Sequence, residues 1–98
     1  MTNLDQNSAT IDAPHFSEGW LSCRLDSGMF SDEVAVTYPA TGEWQKSVFV
    51  PSEHVRNFAL NATGEVRVRL FERDGKRFAV LPTSYRDLVL IDAADLRS

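Results

Sequence analysis

Residues 65–81 read EVRVRLFERDGKRFAVL, and this stretch decides the fold. Asp74 and Gly75 separate two runs in which apolar residues alternate with polar ones, and a period of two is typical of β-strands. An Asp-Gly pair between such runs is a strong hairpin signal, because both central residues of a type I′ turn need positive φ. The stretch therefore predicts an antiparallel hairpin with strands over 65–72 and 76–81.

The register of this hairpin separates a core face from a solvent face. A two-residue turn places Phe71 opposite Phe78 and Glu72 opposite Arg77. The face that we expect in the core carries Val68, Leu70, Ala79 and Leu81. The opposite face is basic and aromatic, and it carries Arg67, Arg69, Phe71, Phe78 and Val80.

An earlier stretch repeats this pattern. Residues 33–38 alternate, continue through a turn at Gly42 and lead to a strand over 44–50 that ends at Pro51, as Pro82 ends the later hairpin. We expect a second hairpin here. The similarity is weak evidence of an internal duplication, since any two glycine-turn hairpins share it.

Three further elements complete the prediction. A strand over 19–25 places Leu21, Cys23 and Leu25 on one face. A short strand follows at 88–91, and Asp92 is suited to cap a final turn. Between the hairpins, a helix of about two turns is predicted to begin at Ser52, with Val55, Phe58 and Ala59 on its apolar face.

These elements indicate a mainly β fold. About six short antiparallel strands with one short helix favour a small barrel or sandwich. The alternative is an α+β open sheet with the helix packed on one face. The length of 98 residues suits a single domain, which we place at 15–98. Residues 1–14 are polar and aperiodic, and we predict a disordered tail there.

Composition limits the classes of function. The chain has one cysteine and no apolar run of about 20 residues, so we expect a cytoplasmic protein without a membrane span. The net charge is −4, which disfavours nucleic acid as a partner. The charge is uneven, because residues 1–33 carry six acidic residues and one basic residue. The second half can therefore form a local basic surface.

The residue types that carry catalysis are sparse. Cys23 lies on the apolar face of a strand, where we expect a buried, structural thiol. His15 and His54 are distant in sequence, and no glycine loop for phosphate occurs. The sequence predicts neither an active site, nor a metal site, nor a cofactor.

Two features outside the hairpins could contact a partner. The loop 26–33 places Met29 and Phe30 between acidic residues, which is a pattern of recognition patches. The competing interpretation is that both side chains plug one end of the barrel. Trp20 and Trp44 are each suited to the core or to an interface, since tryptophan is enriched in both places.

One short segment resembles a known family. The run from Trp44 to Val48-Phe49-Val50-Pro51-Ser52-Glu53-His54-Val55 resembles the end of a Src-homology-3 domain over about a dozen residues. His54 stands where that family has tyrosine, and the family's opening Ala-Leu-Tyr-x-Tyr motif is absent. Its proline-rich ligands are therefore not inferred.

The leading functional hypothesis is a small non-catalytic binding or protein-interaction module. Its partner is an unknown protein or a second copy of the chain in a homodimer. The alternative is single-stranded nucleic-acid binding through the basic and aromatic face of the second hairpin. The candidate interaction surface comprises Met29, Phe30, Trp44, Arg67, Arg69, Phe71 and Phe78.

Overall fold

Alternating apolar residues build eight strands within residues 17–98, the part of the chain that the computed structural model describes. The predicted tail over 1–14 lies outside these residues. The strands are β1 (Ser17–Ser27), β2 (Glu33–Tyr38), β3 (Lys46–Pro51), β4 (Val55–Arg56), β5 (Ala62–Arg73), β6 (Lys76–Val80), β7 (Leu88–Leu90) and β8 (Leu96–Arg97).

Six of these strands form a nearly closed antiparallel barrel in the order β3-β2-β1-β5-β6-β7. The two-residue strands β4 and β8 pair with β5 and β1. The two ends of the sheet are linked by an ion pair, in which Lys46 Nζ lies 3.3 Å from Asp87 Oδ1. The prediction of a small antiparallel barrel is confirmed, and the open-sheet alternative is wrong.

The barrel interior is filled by one face of each main strand. Leu21, Cys23 and Leu25 are completely buried, as the alternation in β1 predicts. The other core residues are Val34, Val36, Tyr38, Val50, Val66, Val68, Ala79, Leu81, Val89 and Ile91. Because side chains alternate along a strand, the residues between them face outward.

The second hairpin has the predicted register. Phe71 pairs with Phe78, and the turn residues Asp74 and Gly75 have φ of 55° and 76°. The first hairpin also forms, but β3 begins at Lys46 rather than at residue 44. Trp44 therefore lies in the β2–β3 loop.

The predicted helix after Ser52 is wrong. Ser52–His54 form only a single 3₁₀ turn, and Val55–Arg56 continue in extended conformation as β4. Asn57 and Asn61 then adopt positive φ of 58° and 53°, which an α-helix does not permit. Strand pairing with β5 outweighs the weak helical pattern. Phe58, expected on a buried helical face, is 46% exposed.

The last segment crosses one end of the barrel from β7 to β1. Asp92 accepts a hydrogen bond from Ala94 N and so caps a 3₁₀ turn at Ala93–Asp95, as predicted. The Tyr38 hydroxyl accepts a bond from Asp92 N at 3.0 Å and donates to Asp95 Oδ2 at 2.7 Å. A core side chain thus anchors this crossover. No helix within residues 17–98 is long and apolar enough to span a membrane.

Candidate functional site

The most exposed cluster of apolar side chains surrounds a groove at the end of the barrel where β1 leads into β2. Met29, Phe30, Phe58 and Leu60 border this groove and are 74%, 69%, 46% and 64% exposed. Its volume is about 510 Å³, and Val34 and Val55 also line it. We call this feature the apolar groove, with Met29, Phe30, Phe58 and Leu60 as its rim.

The loop that carries Met29 and Phe30 is held in place by Glu33. Glu33 Oε1 accepts hydrogen bonds from Met29 N at 2.9 Å and from Phe30 N at 3.3 Å. The Glu33 amide donates to Phe30 O at 3.2 Å. The loop also packs tightly at Gly28, where an added Cβ would lie 2.6 Å from Glu33 O. The two apolar side chains are therefore presented to solvent by a well-fixed backbone, and the interpretation of a barrel plug is wrong.

A second surface lies on the outside of β5, β6 and β7. Strand pairing aligns Phe71, Phe78 and Leu90 in one row across the three strands. The next row contains Arg69, Val80 and Leu88. The Phe71 and Phe78 rings stack with centroids 5.4 Å apart and an interplanar angle of 19°. We call this surface the basic outer face; it comprises Arg67, Arg69, Phe71, Phe78, Val80, Arg86, Leu88 and Leu90.

Arginine side chains border a hollow on the basic outer face. The hollow has a volume of about 630 Å³, and Arg67, Arg69 and Arg86 line it. Glu18 is the one acidic residue among the described residues of the lining, and its Oε1 lies 2.6 Å from Arg67 Nη2. Both partners are more than half exposed, so this ion pair contributes at most about 1 kcal/mol to stability. The formal charges of the described lining residues Arg67, Arg69, Arg86 and Glu18 sum to +2.

Trp44 belongs to neither surface. It is 90% exposed and borders a hollow of about 970 Å³ at the opposite end of the β2–β3 hairpin from Met29. Charges of both signs line this hollow, including Lys46, Lys76 and Asp95. The sequence-derived candidates thus fall into three groups, and the hollow beside Trp44 adjoins the basic outer face at Leu90.

Trp20 packs against a cluster of interacting side chains from β4, β5 and the residue that follows β4. The Arg56 guanidinium lies 4.2 Å above the centre of its ring. Glu65 Oε1 accepts hydrogen bonds from Asn57 Nδ2 at 2.7 Å and from Arg56 Nε at 3.0 Å. The Asn57 bond, followed by the Arg56 interactions, holds the pKa of Glu65 below its usual value. This cluster joins β4 to β5 and partly covers Trp20, which is intermediate in exposure, whereas Trp44 is 90% exposed.

The candidate nucleophile is buried. Cys23 is fully inaccessible, and burial, assisted by the charge of Asp95, raises the pKa of its thiol to about 12. Because the thiolate is the reactive form, this environment makes Cys23 inert at neutral pH. Within residues 17–98, no group of three or more His, Cys, Asp and Glu side chains is arranged to hold a metal ion.

On the apolar groove and the basic outer face, the sequence interpretation missed four exposed apolar residues: Phe58, Leu60, Leu88 and Leu90. Phe58 was assigned to a helix that does not form. Alternation places Leu88 and Leu90 on the opposite face of their strand from Val89 and Ile91. All four residues are apolar, so the sequence does not indicate which face lies on the surface.

Comparison with protein-family models, with curated proteins and with solved structures finds no significant match.

Proposed function

We propose that this protein is a small non-catalytic interaction module whose apolar groove binds an apolar segment of another protein. The observation that carries the proposal is the exposure of Met29 and Phe30 on a loop fixed by Glu33. Large apolar side chains that gather on a surface are typical of interaction sites. A fixed loop also loses little conformational entropy when the complex forms.

The size of the groove suits a few anchoring side chains. A volume of about 510 Å³ lies within the range of roughly 300–1,000 Å³ typical of ligand sites. Burial of each Met or Phe side chain contributes about 1.5–3 kcal/mol before the costs of association. Met29 and Phe30 are therefore the residues on which we expect affinity to depend most.

We also propose that the protein is cytoplasmic and that it pairs with a second copy of itself. The single cysteine supports a cytoplasmic protein, since disulfides are rare there. Among the described strands, β3 and β7 each have a hydrogen-bonded neighbour on one side only. Unpaired edges of this kind favour pairing with another strand, and two-fold edge pairing would give a homodimer.

Site-specific photo-crosslinking tests the proposal. A benzophenone amino acid replaces Phe30 in cells that produce the protein, and the crosslinked partner is identified and purified. We expect one discrete partner at position 30. With purified components, Phe58→Ser should weaken that complex at least about tenfold, because it removes one rim side chain of the groove.

Tyr85 is the matched control. It is 91% exposed and does not line the apolar groove. The benzophenone at position 85 should give no such partner, and Tyr85→Ser should leave the affinity unchanged. Equal crosslinking of the same partner at positions 30 and 85, or an affinity that Phe58→Ser does not change, would contradict the proposal.

A further inference from the structure

The basic outer face is a second surface with its own chemistry. The outside of a small barrel is normally polar along its strands, since only one face of each strand is buried. Here two adjacent rows contain Phe71, Phe78, Leu90, Val80 and Leu88. Leu88 and Leu90 are 48% and 57% exposed. This apolar area is separate from the apolar groove, because no residue lines both.

The dimensions of this area match an α-helix. Neighbouring strands lie about 4.8 Å apart, so β5 to β7 span about 10 Å. A helix with its side chains is about 10–12 Å wide. The two rows are separated by two residues along each strand, or about 7 Å, which is the length of about 1.3 turns of an α-helix.

The charge of the surface indicates which residues should lie beside the apolar stripe of a bound helix. Arg67, Arg69 and Arg86 line the adjoining hollow with Glu18 as the one acidic residue of its described lining. Arg86 lies in an ordered loop, where its amide donates to Thr83 O at 3.0 Å and Thr83 Oγ1 donates to Asp87 Oδ2 at 2.6 Å. Carboxylates beside the apolar stripe of a helix would therefore lie close to the positive charges of these arginines.

We propose that the basic outer face binds an acidic amphipathic helix of another protein. This inference goes beyond the proposed function, because it concerns a different surface and a partner of different chemistry. Helices commonly dock by their apolar stripe. A long polyanion fits less well, since the chain carries a net charge of −4 and would repel a polyanion that extends beyond this surface. Screening over about 8 Å at physiological salt lets a short acidic segment interact with the arginines alone.

Fluorescence anisotropy with four labelled probes tests the inference. The first is a helical peptide with leucines on one face and glutamates beside them. The second has the same composition in scrambled order, the third has lysine in place of glutamate, and the fourth is mixed-sequence single-stranded DNA. We expect the first peptide to bind at least about tenfold more tightly than the others and to weaken with added salt.

Substitutions at exposed positions show which surface binds the peptide. Leu88→Ser and Arg86→Glu should each weaken the first peptide about tenfold while the thermal unfolding midpoint stays unchanged. Leu60→Ser, on the apolar groove, and Arg24→Glu, an exposed arginine on β1, are matched controls and should have no effect.

Three results with the unmodified protein would overturn the inference, and a fourth comes from the variants. The first three are tighter binding of DNA than of the acidic peptide, equal binding of the scrambled peptide, and no binding of the acidic peptide at millimolar concentration. A loss of binding in Leu60→Ser but not in Leu88→Ser would also overturn it, because the peptide would then occupy the apolar groove. That last result would leave the proposed function standing.

Discussion

Two protonated side chains in the core tie the stability of the barrel to pH. Burial, assisted by Asp95, raises the pKa of Cys23 from 9.0 to about 12. Burial, followed by the hydrogen bond to Asp95, raises the pKa of Tyr38 from 10.0 to about 12. In both cases the folded protein holds its proton to a higher pH than the unfolded chain does. Their contribution is complete below the unfolded pKa and is lost as pH rises toward the folded one.

We therefore predict a loss of stability on the alkaline side. The free energy of unfolding should begin to fall near pH 9, where unfolded Cys23 starts to lose its proton, and should keep falling toward pH 12. In Cys23→Ala the decline should begin about one pH unit later, near the unfolded pKa of Tyr38. Urea unfolding of both proteins at a series of pH values measures this difference.

The reactivity of the Cys23 thiol independently tests whether it is buried and protonated in the folded protein. A buried, protonated thiol should react with iodoacetamide only when the protein unfolds. Rapid alkylation of the folded protein at neutral pH would contradict the burial of Cys23. If the free energy of unfolding depended on pH in the same way in wild type and Cys23→Ala, the predicted role of Cys23 in the pH dependence would be wrong.

At the scale of elements, the sequence predicts the strands well and the connection between the hairpins badly. Alternation of apolar residues is a local signal, so β1, β2, β5 and β6 follow from it directly. The segment after Ser52 shows a weak helical pattern, and its conformation depends on a distant partner. Val55 pairs with Val66, and this pairing is decided by packing that no local pattern contains.

Gly64 explains how β4 and β5 come so close together. A Cβ at this position would lie 2.5 Å from Leu25 Cδ1 and 2.7 Å from Asn57 O. Both distances are too short for real contacts, and the second involves backbone that cannot move without breaking the β4 pairing. The close approach of β4 and β5 therefore requires a residue without a side chain at position 64.

We predict that Gly64→Ala destabilises the barrel by about 1–3 kcal/mol, which is the usual cost of overpacking. Gly19→Ala is the control, because its Cβ would meet only the flexible end of Leu70, at 2.9 Å. The cost there should be clearly smaller. Urea unfolding compares the two variants, and equal losses would show that the contact with Asn57 O does not restrict this site.

At the scale of the whole molecule, the apolar groove results from a pairing between distant strands. Leu25 near the end of β1 pairs with Ala62 at the start of β5. The loop after β1, which carries Met29 and Phe30, therefore lies beside the residues before β5. This arrangement brings Phe58 and Leu60 to the same rim. The sequence alone predicts Met29 and Phe30 as candidates. The groove itself depends on the pairing of β1 with β5, which are distant in the sequence.

The separation of surfaces is also a property of the whole barrel. Met29 and Phe30 lie at one end of the β2–β3 hairpin, and Trp44 lies at the other. Arg67, Arg69, Phe71 and Phe78 lie on the outside of β5 and β6. The sequence alone could not show whether the candidate residues lie on one surface or on three, because their positions depend on how the sheet closes.

The free energy of unfolding of the double variant Met29→Ser, Phe30→Ser tests the central claim most directly. An interaction module presents these side chains to a partner, so the isolated fold does not need them. We predict a value within about 0.5 kcal/mol of wild type, as for other surface substitutions. Leu25→Ser, in the core, is the control that should unfold the barrel. A loss of about 2 kcal/mol or more in the double variant would show that Met29 and Phe30 are structural, and the proposed binding site would be wrong.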